Sequence, residues 1–283
     1  MKKIARAILA AALIAAIAFS GYRTLGIQGA YSGEASARED VAVFKPALPD
    51  IEAAVAEKMK PSDRERPADT PDEENTDSKA PDGSDLHSGA QGGTSAAGRS
   101  IADLKARYGD AVGWITVPHT GIDYPFVQSD DNDYYLRRDI NGKSARAGTI
   151  FIDKRCGKDF SDFNTILYGH NMKNGTMFST LGRFGGKEFF EANRYGAIFL
   201  ERATYAVEFF AFLVIRPEEH TVYNRPGSGA DILGHLDYIR QNARQYRELD
   251  LGPADRVVTL STCSYEFGDA RMVLLGRLIE IDP

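Results

Sequence analysis

The sequence predicts a mainly β domain, a β-barrel with peripheral helices, carried behind an N-terminal membrane helix and a flexible stalk. Three observations support this prediction. The chain starts with an apolar run behind basic residues, residues 29–98 are acidic and poor in large apolar side chains, and about eight short strand-like runs crowd into residues 99–283. So many short strands are typical of a barrel or a sandwich, and we predict the barrel.

The composition limits the possible functions. The 283 residues carry 34 Lys and Arg against 40 Asp and Glu, a net charge of −6, which argues against a dedicated nucleic-acid binder. Two cysteines cannot build a disulfide scaffold, and no CxxC or HExxH pair offers a zinc site. We therefore expect no metal, no cofactor and no nucleic-acid partner, while nothing in the sequence specifies an oligomeric state.

Residues 1–28 have the pattern of a membrane-targeting segment. Lys2, Lys3 and Arg6 precede an unbroken apolar run over 7–19, which is short for a spanning helix of about 20 residues and also fits a secretory signal. We favour an uncleaved anchor, because cleavage after Ala18 would leave almost no polar spacer behind the apolar core. The basic flank keeps the N-terminus inside, so we expect a single-pass protein of the cell membrane with the rest of the chain outside.

Residues 29–98 are predicted to be a flexible spacer. They are rich in Pro, Asp, Glu, Ser and Gly and cannot bury enough apolar surface to offset the entropy of ordering. A short isolated helix is predicted over residues 50–60. The ordered domain, residues 99–283, begins with a helix, since Ser100 and Asp103 form a capping-box pattern and Ile101, Leu104 and Tyr108 share one helical face.

Strand patterns dominate the rest of this domain. β-branched and aromatic runs bounded by Gly, Asp or Pro predict strands over 114–117, 124–128, 149–153, 165–169, 197–200, 206–215, 256–262 and 271–281. Helical spacing of Ile232, Leu233, Leu236 and Ile239 predicts one later helix between residues 229 and 247. Shorter helical stretches are expected around 132–136 and 177–190.

A candidate nucleophile stands at the end of one of these strands. Cys263 closes the run TLSTC, where a thiol is held rigidly and stays accessible, whereas Cys156 lies in a charged stretch and is interpreted as a loop residue. A thiol nucleophile needs a proton partner, and His170 is the one histidine that ends a strand-like run, although a His beside Gly and Asn also suits an ordinary turn. Arg271 opens the next strand and is either an oxyanion donor or a solvated charge.

These motifs resemble those of a known family. The run TLSTCSYEFGDAR, with LYGHNM about ninety residues upstream, is similar to the sortase signature of TLxTC followed by Arg and preceded by a paired His. The stretch YGHNMKNGTMF, the late helix and the helical extension at 100–109 resemble class B sortases. The resemblance covers residues 100–283 and implies a closed eight-stranded sortase-type barrel.

The resemblance implies a membrane-anchored cysteine transpeptidase of a Gram-positive surface. Its partners would be surface proteins that bear a C-terminal sorting motif and an amine of a cell-wall precursor or another acceptor. Cys263 would attack the carbonyl of a Thr in that motif, His170 would protonate the leaving amine and activate the incoming one, and Arg271 would bind the carbonyl oxygen. Asn132, Leu136, Ser261, Thr262 and Tyr223 match positions that line the substrate groove.

One residue departs from this pattern, and two other functions compete. Some class B enzymes have Glu directly after the nucleophile, whereas this chain has Ser264, so their motif preference does not carry over. A cysteine endopeptidase that hydrolyses the same motif would use the same three residues. A non-catalytic surface barrel that binds peptides would not need them, and their presence weighs against it.

Overall fold

A computed structural model describes residues 38–60, 99–216, 218–263 and 270–281. The strands are β1 Ala111–Thr116, β2 Asp123–Val127, β3 Ile150–Ile152, β4 Asn164–Tyr168, β5 Tyr195–Leu200, β6 Thr204–Ile215, β7 Gln245–Tyr246, β8 Val257–Cys263 and β9 Arg271–Ile281. The helices are α1 Ile51–Lys58, α2 Ile101–Arg107, α3 Lys187–Ala192 and α4 Gly229–Asn242, with 3-10 helices Tyr134–Arg137, Ser179–Gly185 and Thr221–Tyr223.

Eight of the strands close into a barrel. They are hydrogen-bonded in the order β5-β1-β2-β3-β4-β8-β9-β6, and β6 pairs back onto β5. The neighbours β2 and β3 are parallel, as are β4 and β8, and the other pairs are antiparallel. The closed eight-stranded barrel with peripheral helices is therefore confirmed, and each of its strands overlaps one of the eight predicted runs.

The interior of the barrel is filled by side chains rather than by a channel. Phe126, Ile166, Leu260 and Leu274 belong to one buried cluster and have no exposed surface. Because inward-facing residues of an eight-stranded barrel just fill its interior, the strands are held rigidly and their ends make a stable platform. The strand ends are therefore a suitable place for a site that depends on geometry.

The first helix of the domain forms as the sequence predicts. The Ser100 hydroxyl accepts from the Asp103 backbone N–H, and the Asp103 carboxylate accepts from the Ser100 N–H, which completes the capping box. Ile101, Leu104 and Tyr108 are buried against the barrel. The predicted capping box and apolar face are both confirmed.

Residues 38–60, which the sequence analysis assigns to the spacer, pack against the barrel instead. Val41, Phe44, Ile51 and Val55 are buried in the same cluster as α2 and the outer faces of the strands. The helix predicted over 50–60 is present as α1, but it is not isolated, because four apolar residues spread over 15 positions suffice to dock the segment once a complementary surface exists. The proposed boundaries at residues 28 and 98 lie outside the described residues and stay predictions.

The late helix is present, but one of its four predicted apolar residues is exposed, and a short strand that was not predicted follows it. α4 is capped by the Ser228 hydroxyl and buries Ile232, Leu236 and Ile239, while Leu233 is 54% exposed. The helix ends at Asn242, since the chain then turns extended so that β7 can pair with β6. Two residues of strand are too few to give a sequence pattern, which is why β7 was not predicted.

No helix within residues 38–60, 99–216, 218–263 and 270–281 is long and apolar enough to cross a membrane. The predicted anchor over residues 1–28 lies outside these ranges.

Candidate active site

The candidate site lies where β4, β8 and β9 meet at one end of the barrel. β4 and β8 are parallel, with Tyr168 paired to Ser261, and the Gly169 N–H continues the ladder by donating to the Ser261 carbonyl at 3.1 Å. The antiparallel pair of β8 and β9 places Cys263 opposite Arg271. The strand register therefore brings the backbone of His170, one residue beyond Gly169, to the same edge as Cys263 and Arg271.

A cavity of about 230 Å³ opens at this edge. Its described lining residues are Asn132, Leu136, Phe151, Tyr168, Gly169, His170, Ser261, Thr262 and Arg271. Six of the eight residues that the sequence singled out line the cavity directly, and Cys263 ends the strand that supplies Ser261 and Thr262. Among these described lining residues Arg271 is the one with a permanent charge, so an electron-rich oxygen in the cavity would be drawn to it.

His170 is held by its backbone and by its ring. Gly169 leaves room for two packed side chains, because a Cβ there would lie 2.5 Å from the Ile150 side chain and 2.8 Å from the Phe178 ring. The Phe178 N–H donates to the His170 carbonyl at 3.0 Å. The ring Nε2 lies 2.7 Å from the Leu136 carbonyl, and since a carbonyl only accepts, Nε2 carries a proton.

Tyr223 joins the site through Ser261. Its hydroxyl lies 2.8 Å from the Ser261 hydroxyl, and its ring centroid is 6.1 Å from that of Tyr168. Tyr168 in turn contacts the Phe151 ring at 5.4 Å. One wall of the cavity region is therefore aromatic, and the structure brings all eight predicted residues to one place.

Asn132 and Thr262 have polar groups suited to a bound peptide. The Asn132 side-chain oxygen accepts from the Lys154 N–H at 2.8 Å, which leaves the amide N–H donors for another partner. The Thr262 residue is 3% exposed, and its hydroxyl has no hydrogen-bond partner among the described residues. A buried hydroxyl without a partner is costly, so a ligand that bonds it would recover that cost.

The sequence analysis missed a charged network behind the aromatic wall. Asp153, 1% exposed, accepts from Arg155 at 2.8 and 2.9 Å and from the Tyr168 hydroxyl at 3.0 Å. Burial opposes ionisation of Asp153, but the hydrogen bonds from Arg155 and Tyr168 outweigh it and lower its pKa to about 2. Burial and the Asp153 charge raise the pKa of Tyr168, so Tyr168 stays a neutral donor. The Asp-x-Arg pattern directly after a strand was the available sequence signal.

The second cysteine and three further histidines lie in different surroundings. Cys156 is a loop residue, as predicted, but it is buried, and burial raises the pKa of its thiol, which disfavours the nucleophilic thiolate. His119 Nδ1 is 2.8 Å from the Asn193 side-chain oxygen, and His235 is buried in the core, which lowers its pKa to about 4. His220 is exposed in a loop. Within the described part of the chain, none of the four lines the cavity that holds His170.

In the same described ranges, no group of three or more His, Cys, Asp or Glu side chains could hold a metal ion. The expectation of a metal-free and cofactor-free enzyme stays a prediction.

A closed barrel that carries a Cys, a His and an Arg on neighbouring strand ends has the groups that a cysteine acyl-transfer enzyme needs. The sortase domain model matches residues 115–279. Sortase B of Listeria monocytogenes is 37% identical over 181 residues, which cover 63% of this chain and 74% of that protein.

Solved structures agree with this match. The X-ray structure of Clostridium perfringens sortase B aligns with a TM-score of 0.60 and 33% identity over 63% of this chain and 98% of that one. A Staphylococcus aureus sortase B–substrate complex aligns with a TM-score of 0.61 and 27% identity over 64% and 85% of the two chains. This chain belongs to the sortase family. Within the family it is a class B sortase, a cysteine transpeptidase.

Proposed function

We propose that Cys263 is the nucleophile of this transpeptidase, His170 its general acid and base, and Arg271 the donor that binds the scissile carbonyl. One observation carries this proposal: the β4–β8–β9 register collects the three residues at one edge, around a cavity of about 230 Å³. Arg271 and His170 both line that cavity, so a peptide bond bound there would lie beside both residues.

The reaction follows from these positions. The Cys263 thiol passes its proton to Nδ1 of His170, and the resulting thiolate attacks the carbonyl carbon of the substrate and forms the C–S bond. The carbonyl oxygen gains negative charge beside the Arg271 guanidinium. The C–N bond then breaks, and His170 supplies from Nδ1 the proton that the leaving amine needs. An acceptor amine attacks the resulting thioester and gives a proton back to Nδ1. The Cys263 sulfur leaves as thiolate, so the cycle ends with the starting enzyme.

The Leu136 carbonyl has a specific part in this cycle. Because Nε2 donates to that carbonyl in both the neutral and the protonated ring, Nδ1 alone gains and loses the proton. The imidazole therefore need not rotate between the two half-reactions. This geometry suits a residue that acts first as an acid and then as a base.

Five further residues would bind the substrate peptide. Asn132 offers amide N–H donors to a peptide carbonyl, and the Thr262 hydroxyl, which has no partner among the described residues, offers a bond that a peptide would complete. Leu136 supplies apolar surface, while Ser261 and Tyr223, bonded to each other at 2.8 Å, present a polar edge within an aromatic wall. We expect a substrate of extended backbone with one small residue seated beside Thr262.

Sortases act on sorting-motif substrates at the Gram-positive surface. We propose that this enzyme cleaves its motif after a Thr, that the acceptor is an amine of a cell-wall precursor, and that residues 1–28 anchor it as a single-pass membrane protein. The basic start and apolar run of that segment support the anchor.

The test uses the full chain in detergent and fluorescent peptides that contain Thr-Gly or Thr-Asn. Mass spectrometry after mixing should find the N-terminal peptide fragment as a thioester on Cys263. Cys263→Ala should abolish this adduct, whereas the matched variant Cys156→Ala should keep it, because Cys156 lies away from the cavity. An adduct on Cys156 alone would refute the assignment.

The acceptor step is tested separately with triglycine as the amine probe. A transpeptidase should divert the acyl group from water to triglycine and release the ligated peptide as the main product. Hydrolysis that is unchanged by millimolar amine would favour an endopeptidase.

A further inference from the structure

A glycine outside the cavity lining touches the carbonyl that orients the catalytic histidine. Gly148 adopts a φ of 62°, and a Cβ placed on it would lie 2.4 Å from the Tyr135 oxygen and 2.6 Å from the Leu136 oxygen. Both contacts are with backbone atoms, so no side-chain rotation could relieve them. The Leu136 oxygen is the same atom that accepts from His170 Nε2 at 2.7 Å.

The two segments that meet at Gly148 are tied together. The Thr149 N–H donates to the Tyr135 carbonyl at 3.0 Å, and the Thr149 hydroxyl donates to the Arg138 carbonyl at 2.9 Å. On the other side β3 begins at Ile150, which pairs with Phe126 in the barrel wall. Gly148 therefore cannot retreat without breaking these bonds or the β2–β3 pairing.

We infer that Gly148 is a positioning residue for this transpeptidase: its missing side chain lets the Leu136 carbonyl approach and hold the His170 ring in the tautomer whose Nδ1 exchanges the proton. A methyl group at 148 would need the carbonyl oxygens to move about 0.8–1 Å to reach the 3.4 Å of ordinary contact. A shift of that size removes the Leu136 oxygen from good hydrogen-bond geometry with Nε2. The ring then loses its single orientation.

This inference rests on the proposed role of His170, and its first test is Gly148→Ala in the full chain. We expect acyl-enzyme formation at saturating peptide to slow about 10–100-fold, the scale of a misplacement of about 1 Å at a catalytic group. The matched control is Gly175→Ala. Gly175 has a φ of 83°, and a Cβ added to it would meet nothing within 4 Å, so its variant carries the same left-handed strain without the collision and should keep most of its rate.

A spectroscopic measurement separates positioning from general loss of structure. The ¹⁵N resonances of the His170 ring should show a protonated Nε2 and an unprotonated Nδ1 in the parent chain and in Gly175→Ala, but an averaged mixture of tautomers in Gly148→Ala. An unchanged His170 spectrum in a slowed Gly148→Ala would overturn the inference. So would a normal rate, or equal losses in the two glycine variants.

A second perturbation applies if Gly148→Ala does not fold. Replacing the amide between residues 136 and 137 by an ester weakens the Leu136 oxygen as an acceptor and adds no atom near Gly148. The ester should also slow acylation and mix the tautomers. If it changes neither the rate nor the spectrum, the inference is wrong. His170→Ala, measured in parallel, separates failure of the proposed function from failure of this inference. If His170→Ala stays active, the proposed role of His170 is wrong, whatever the glycine variants do.

Discussion

Asp153→Asn tests how far the buried charge behind the aromatic wall stabilises the domain. The Asp153 carboxylate is 1% exposed and receives bonds from Arg155 and the Tyr168 hydroxyl. Its pKa falls from 3.8 to about 2 on folding, and at about 1.4 kcal/mol per pKa unit this corresponds to roughly 2 kcal/mol of stability at neutral pH. For a domain of this size about 2 kcal/mol lowers Tm by roughly 4–8 °C.

The stability that the Asp153 carboxylate contributes should decrease as the pH falls. A carboxyl whose folded pKa is depressed contributes its full stability above the unfolded pKa of 3.8 and loses that contribution as the pH falls toward about 2. The gap in unfolding free energy between the parent chain and Asp153→Asn should therefore be largest near pH 7 and roughly halved at pH 3. Asparagine cannot titrate and presents an N–H group to Arg155, so no part of this pH dependence survives in the variant.

Urea unfolding at pH 7, 5 and 3 measures these gaps, followed by tryptophan fluorescence. Asp130→Asn is the control, since Asp130 is exposed in the preceding loop and its removal changes the net charge equally. The reasoning is refuted if the two variants are equally stable, or if the Asp153→Asn deficit is the same at all three pH values.

Three further predictions concern the proposed catalytic groups and the absence of a metal requirement. His170→Ala should reduce turnover by about 10²–10⁴, the usual loss for a general acid and base. His220→Ala, at an exposed histidine, should leave turnover nearly unchanged. Comparable losses of the two variants in a peptide-cleavage assay would mean that His170 is the wrong imidazole. Arg271→Lys should lower kcat by about 10²–10³ with little change in Tm, because lysine replaces a planar fork of donors by a point charge; a normal kcat would make Arg271 a surface charge. Activity should survive EDTA, and a loss that Ca²⁺ restores would reveal a metal requirement.

Much of the barrel was predictable because each strand has a local pattern. The run at residues 271–281 matches β9 at both ends, and the runs at 206–215 and 256–262 differ from β6 and β8 by no more than two residues at either end. Residues 38–60 were not predictable in the same way. Their few apolar side chains are too sparse to fold alone, and they are buried only because α2 and the strands present a surface to them.

The same division applies to the site. Cys263, His170 and Arg271 could be proposed from sequence because each lies at or just beyond a strand end in a recognisable motif. The bond between Tyr223 and Ser261 and the Asp153–Tyr168 contact join residues 38 and 15 positions apart, and no local pattern encodes such a pairing. The tautomer of His170 depends on a carbonyl 34 residues away, which only the fold brings within reach.

The sequence by itself determined the class of fold and the family to which the chain belongs, because strand patterns and the TLSTC and LYGHNM runs are local. The tertiary structure alone decided which groups meet. Barrel closure sets the register of β4 against β8 and of β8 against β9, and a register is a long-range property in which a shift of one residue would turn every side chain of a strand to the opposite face. The orientation of His170 and the packing of residues 38–60 follow from that closure.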